Sequence, residues 1–255
     1  MSSEQKQGLM AGKRGLIMGL ANDKSIAWGI ARAVAGEGAE LAFSYQGEAL
    51  KKRVDPLAAQ LGSSLVLPCD VSDEASIEKL FQSLQQEWGN LDFVVHAIGF
   101  SDKDQLRGRY ADTTRDNFMM TMDISVYSFT AVARHASAMM PNGGSLLTLT
   151  YYGAERVMPH YNVMGVAKAA LESTVRYLAN DLGPDGIRVN AISPGPMKTL
   201  AGAAIGGARK TFRHTEANAP LRRNATLEAI GGTAVWLLSD WGACTTGETV
   251  LVDGG

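Results

Sequence analysis

An α/β fold, with a doubly wound, seven-stranded parallel sheet and helices on both faces, is what the sequence predicts on three observations. Short β-rich runs alternate with longer segments of helical spacing, which implies right-handed crossovers and a sheet covered on both sides. Glycine is abundant at 28 residues and proline sparse at 8, a balance that suits many tight strand-to-helix turns better than disorder. A chain of 255 residues with 45% hydrophobic content can bury one large core, and no linker, internal repeat or low-complexity tract divides it.

The strand runs, in order, are Leu16–Met18, Leu41–Tyr45, Leu65–Leu67, Leu91–Val95, Ser145–Leu149, Ile187–Ile192 and Val250–Val252. Most are short and nearly continuously apolar, as strands buried on both faces are. Helical spacing fills Ile26–Gly36, Ile77–Trp88, Phe118–Met140, Ala167–Leu182 and Leu227–Leu238. Turn residues at Asn142-Gly143-Gly144, Gly183-Pro184-Asp185-Gly186 and Ser193-Pro194-Gly195-Pro196 punctuate the later joins. The stretch Met197–Arg213 breaks the rhythm. Gly202, Gly206 and Gly207 leave it too glycine-rich for a helix, and its place near the carboxyl edge of the sheet marks a mobile lid.

Charge and composition exclude several classes of partner. Lys+Arg number 24 and Asp+Glu 26, a net charge of −2, so the chain lacks the basic footprint that nucleic acid or an anionic membrane requires. The N-terminus has no signal-peptide h-region, and no apolar stretch approaches the ~20 residues of a membrane span. Two cysteines without CxxC spacing, Cys69 and Cys244, suit a reducing compartment. A soluble, cytoplasmic protein is expected. The four histidines, His96, His135, His160 and His214, show no metal-ligand spacing, so no metal is expected.

In open parallel sheets ligands bind where the carboxyl ends of the strands meet their loops. After the first strand, Gly19 permits close chain approach, and Ser25 opens a helix whose free N–H donors suit a phosphate. As a bare motif this is equally ordinary turn and cap chemistry. At the end of the second strand, where an acid often binds ribose, Gln46 stands instead; it reads as a neutral ribose contact or a solvated strand end. Asp70-Val71 after the third strand offers an acceptor to an adenine amine or caps the next helix. Ile98-Gly99-Phe100 follows the fourth strand, where glycine lets the backbone lie close to a flat ligand. Tyr161 and Lys168 are seven residues apart, nearly two helical turns, which puts them on one face with a rise of ~10 Å. A phenol can donate to a carbonyl oxygen becoming an enolate, and a nearby ammonium favours that charge.

Gly19 with Ser25-Ile26-Ala27, Tyr151-x-Gly-Ala-Glu-Arg, Tyr161-x6-Lys168, Arg188-Val189-Asn190-Ala191-Ile192-Ser193 and Val252-Asp253-Gly254-Gly255 together resemble the enoyl-acyl carrier protein reductases. These are divergent members of the short-chain dehydrogenase/reductase family, whose ordinary members place the lysine four residues after the tyrosine. The resemblance implies a Rossmann-type arrangement, with residues 1–255 as one dinucleotide-binding and catalytic domain and a substrate-binding lid over about 197–213. It further implies hydride transfer from NADH to a trans-2-enoyl thioester carried on acyl carrier protein, in fatty-acid biosynthesis, by a homotetramer. Tyr161 and Tyr151 match the family's active-site tyrosines and Lys168 the residue that holds the nicotinamide ribose. Gly19, Ser25, Ile26, Gln46, Asp70, Val71, Ile98, Met197, Thr199 and Ala201 match cofactor positions. Ser101, Tyr151, Tyr161 and Met164 fall on the substrate side. Gln46 without an adjacent arginine favours NADH, since a 2′-phosphate wants a bidentate cation; Lys51 and Lys52 lie nearby and keep NADPH open.

Two other readings stand beside this one. A ketoacyl or carbonyl reductase of the same fold would carry a Ser or Thr about thirteen residues before the tyrosine, and Thr148 sits there. A catalytically silent NAD(H)-sensing binding protein would keep the fold and lose the chemistry.

Overall fold

The computed structural model describes residues 8–197, 199 and 208–255. Its seven strands are β1 (Arg14–Met18), β2 (Glu40–Tyr45), β3 (Val66–Pro68), β4 (Phe93–His96), β5 (Gly144–Leu149), β6 (Ile187–Pro194) and β7 (Thr249–Val252). All pair in parallel, in the order β3-β2-β1-β4-β5-β6-β7. The described helices are α1 (Ile26–Gly36), α2 (Gly47–Gln60), α3 (Glu74–Trp88), α4 (Arg115–Met122), α5 (Ser128–Ser137), α6 (Asn162–Leu182), α7 (Ala208–Asn218) and α8 (Leu227–Leu238).

Alternation along the strands builds two cores. Successive strand residues point to opposite faces, so Leu16, Met18, Val94 and Leu146 pack with Leu80, Phe129, Val132 and Leu171 of α3, α5 and α6. Their neighbours Ile17, Phe43, Val95 and Leu147 pack with Trp28, Ile30, Val54, Ile230 and Leu237 of α1, α2 and α8 on the other side. Each of the seven expected strands is found, with ends moved by about two residues at most.

Three helices depart from the sequence reading. α2 carries no expected counterpart because its sequence is mostly polar, with only Val54 and Ala58 buried and Pro56 inside it. The expected helix Phe118–Met140 is two helices joined by a π-helical turn, Asp123–Tyr127. There the Ser125 hydroxyl accepts from Phe100 N at 3.0 Å and donates to Phe100 O at 3.1 Å. α7 overlaps the stretch expected to be non-helical, since the glycines stop at Gly207 and helix-tolerant residues follow. The rest of the expected lid, residue 198 and residues 200–207, lies outside the described residues.

β1 and β4 are neighbours, while β2 lies beyond β1 and β5 beyond β4. Chain order therefore reverses between β1 and β4, the switch point at which such sheets open a crevice. Gly19 makes that opening possible: its φ is +89°, and a Cβ there would stand 2.1 Å from the Ala97 carbonyl oxygen. Both obstacles are backbone. Gly19→Ala is expected to destabilise the fold by about 2 kcal/mol, read as a lowered Tm.

Candidate active site

The crevice collects its groups from loops after β1 to β5. The Ser25 hydroxyl accepts from Ala21 N at 3.1 Å and Asn22 N at 3.0 Å. It folds the loop and does not cap α1. The Ile26 and Ala27 N–H groups at the positive end of α1 remain as donors for an anion. Across the crevice mouth Gln46 Nε2 donates to Asp70 Oδ2 at 3.0 Å, so these two predicted residues are brought together. Hydrogen bonds from Ser72, then from Gln46, hold the Asp70 carboxyl below its ordinary pKa. Lys51 is paired with Asp55 at 2.5 Å and lies over the Tyr45 ring. Val71 and Ile98 are half-buried against the core.

β5 exits into the second half of the site. Lys168 is 8% exposed; its Nζ donates to Leu149 O at 2.8 Å and lies 3.5 Å from where a Cβ on Gly99 would stand. Burial lowers its pKa to about 8, against the opposing pull of Glu172. Glu172, one helical turn on, is itself buried, and accepts a 2.6 Å hydrogen bond from Thr150. Burial raises its pKa. Neither Glu172 nor Thr150 stood out in the sequence; a carboxylate four residues after the key lysine was the available signal.

Tyr161 is 6% exposed. Its ring lies on Gly153, whose Cβ would fall 2.4 Å from Cδ1, and beside Gly165. The edge of Tyr151 completes the seat at a centroid distance of 5.1 Å and an angle of 73°. The two glycines are thus site residues, visible in sequence only within Tyr151-x-Gly and the run after Tyr161. Asn224 Oδ1 is the one buried side-chain polar atom without a partner among the described residues. The Tyr161 hydroxyl has no hydrogen bond among the described residues. Burial, then Tyr151, raises its pKa above the ordinary tyrosine value.

One geometric expectation needs correction. Tyr161 is the N-cap of α6, not a residue within it, so helical periodicity does not set its direction. Both neighbours, His160 at φ +60° and Asn162 at φ +35°, adopt left-handed backbone, a cost of order 1 kcal/mol each that the surroundings must offset.

Thr148, the hallmark of the ketoreductase reading, is fully buried in β5 and donates to His96 O at 3.1 Å. It has no surface toward the crevice. His96 is packed beneath, with Nε2 at 2.9 Å from Ser128 Oγ; burial drives its pKa to about 3. Ser101 is engaged by Thr121 at 2.9 Å and by Asn117. Met164 is buried in the same cluster as Tyr161. Met197 packs half-buried against the other core, and Thr199 N donates to Met197 O at 2.9 Å. Ala201 lies outside the described residues.

A family model described as enoyl-(acyl carrier protein) reductase matches residues 19–255. The chain belongs to the enoyl-acyl carrier protein reductase family. A reductase of that family from Rhizobium meliloti, named as NADH-dependent, is 63% identical over 98% of this chain and 92% of its own length. A counterpart from Salmonella typhimurium, also named for NADH, is 53% identical over 97% and 95%. Among solved structures, the Anaplasma phagocytophilum reductase in complex with NAD superposes with a TM-score of 0.94 at 60% identity, covering 97% of this chain and 95% of that one. The Bacillus cereus reductase, solved with NADP+ and an indole naphthyridinone, gives 0.96 at 50% identity over 97% of each. This family member thus shares fold and nearly full length with reductases associated with either nicotinamide.

Proposed function

We propose that this chain reduces the carbon–carbon double bond of trans-2-enoyl thioesters on acyl carrier protein with NADH, in fatty-acid biosynthesis, acting as one dinucleotide-binding and catalytic unit. Family membership at high identity supports the reaction, and one observation in the site carries it here: a buried tyrosine, seated on two glycines, whose hydroxyl has no hydrogen bond among the described residues.

The crevice suits a dinucleotide. Gly19 leaves room where any side chain would meet Ala97, the N-terminus of α1 offers backbone donors to a pyrophosphate, and Gly99 leaves a flat approach beside Lys168. Gln46 and Asp70 would take the adenosine end, and Val71, Ile98, Met197 and Thr199 would line the remainder. When bound there, NADH would supply hydride to the β-carbon of the enoyl group, and the resulting enolate would take a proton from solvent at the α-carbon. Tyr161 donates a hydrogen bond to the thioester carbonyl oxygen as negative charge grows there, a donor held in place before the reaction begins. Lys168 orients the nicotinamide ribose, and its charge favours the enolate. Tyr151 holds the Tyr161 ring edge-on and, with Ser101 and Met164, borders the acyl group.

Ionised Asp70 beside Gln46 repels a 2′-phosphate, and Lys51 is engaged by Asp55. The ratio of kcat/KM for NADH over NADPH is therefore expected to exceed about tenfold, equivalent to about 1.4 kcal/mol. The deciding experiment supplies crotonyl thioester with each nicotinamide and follows nicotinamide absorbance, with a 3-ketoacyl thioester in parallel. Enoyl reduction is expected to dominate. Faster ketone turnover would restore the reading built on Thr148; tight NADH binding without any turnover would restore the sensor.

We infer a homotetramer as well. Met119 and Tyr177 on α4 and α6, at 60% and 78% exposure, and Leu251 on edge strand β7 present apolar surface for it. Size-exclusion chromatography with light scattering tests this. No helix of the described residues is long and apolar enough to cross a membrane. A cytoplasmic setting accords with free Cys69 and Cys244.

A further inference from the structure

We propose that Asn162 is a positioning residue: its carboxamide clamps the loop after β4 to the start of α6 and thereby sets the direction of the Tyr161 phenol. Asn162 Nδ2 reaches three backbone carbonyl oxygens of that loop, Gln105 at 3.2 Å, Gly108 at 3.4 Å and Arg107 at 3.5 Å. One planar amide thus gathers a turn of chain that has no regular secondary structure of its own. The loop is fastened elsewhere by two more amides. Asn117 Oδ1 accepts from Asp102 N at 3.0 Å, and Gln105 Oε1 accepts from Thr114 N at 3.1 Å and Thr114 Oγ1 at 3.0 Å. Those three bonds join the loop to α4 and its N-cap Thr114; among the described residues, only the Asn162 side chain hydrogen-bonds it to the helix that follows Tyr161. The clamp also seats Leu106, which is buried in the cluster that contains Tyr161, Val163 and Met164.

Backbone geometry explains why the residue beside Tyr161 should do this. Left-handed φ at His160 and Asn162 turns the chain on both sides of Tyr161, so the phenol's direction depends on whatever holds these two residues in that conformation. Asparagine tolerates the left-handed region and also supplies donors. Glycine would tolerate it equally and supply none. Both properties are used here, and they can be separated by substitution.

The inference rests on the role of Tyr161 given above, and the test keeps the two apart. Asn162→Gly removes the donors while easing the backbone; Asn162→Asp keeps the shape and turns an acceptor toward three carbonyls, and serves if the glycine variant folds poorly. Steady-state turnover of crotonyl thioester, NADH affinity by fluorescence titration, and both Asn162 variants in a Tyr161→Phe background are measured. We expect kcat to fall about tenfold for either single variant, NADH affinity to stay within about twofold, and little further loss once Tyr161 is already phenylalanine. Wild-type kcat in Asn162→Gly would overturn the clamp, as would a loss that multiplies fully with that of Tyr161→Phe. If Tyr161→Phe alone retains full turnover, the role assigned to Tyr161 fails first and takes the clamp with it.

Discussion

Tyr161→Phe is expected to lower kcat for enoyl thioester reduction by about two orders of magnitude, the usual cost of losing one preorganised donor to a developing oxyanion. The substitution removes a single oxygen. The ring remains on Gly153 and Gly165 and against the Tyr151 edge, so the contacts that seat it persist. The hydroxyl has no partner in the described chain to be orphaned by its loss, which keeps stability close to that of the parent. Burial holds the phenol protonated throughout the working pH range, so what is lost is a hydrogen-bond donor, not a titrating base. NADH affinity should change by less than about twofold, because an interaction made in the transition state contributes little to ground-state binding. Rapid-mixing kinetics and NADH fluorescence titration separate the two quantities. Turnover within about threefold of the parent would remove Tyr161 from the chemistry.

Much of this arrangement could be read before any coordinates. Strands buried on both faces declare themselves by apolar runs, and α1 and α8 fall where their spacing put them, because both are rich in apolar residues and well buried. α2 shows why the rest did not: a mostly polar helix with two buried residues offers few apolar positions to read. The break between α4 and α5 is hidden for another reason. It coincides with a long-range bond from Phe100 N to Ser125 Oγ, 25 residues away, which no local pattern contains. The site divides in the same way. Gly19 stood out by its place after the first strand, yet the atom it must avoid belongs to Ala97. The spacing from Tyr161 to Lys168 marked both residues, but Tyr161 stands at the N-cap of α6 between two left-handed neighbours and not within the helix. Ser25 likewise sat in the expected place with its hydroxyl turned inward to the loop.

Lys168 separates activity from stability more sharply than any other residue of the site. Its folded pKa, about 8, lies below the ordinary lysine value of 10.5 because burial penalises the charge. The groups that act on it are Glu172, which favours the charge, and neutral His96 packed below; Glu172 in turn feels Glu155 and Arg176. As pH rises through about 8, the native chain gives up this proton while the unfolded chain keeps it until about 10.5. The unfolded state then binds more protons, so this residue's contribution to stability increases with pH across that window. Activity should move the opposite way, with kcat/KM for NADH falling along an alkaline limb near pH 8. Glu172→Gln removes the one favourable charge and should move the limb to lower pH. Lys168→Met keeps the aliphatic bulk and is expected to cost about two to three orders of magnitude in kcat/KM through misplaced cofactor and lost charge. Yet replacing a buried cation by an apolar chain leaves Tm unchanged or raised. A pH profile of the Glu172→Gln protein, set beside thermal melts of Lys168→Met, decides the matter: an unmoved limb, or a methionine variant that melts early while retaining turnover, would show that the ammonium serves the fold and not the reaction.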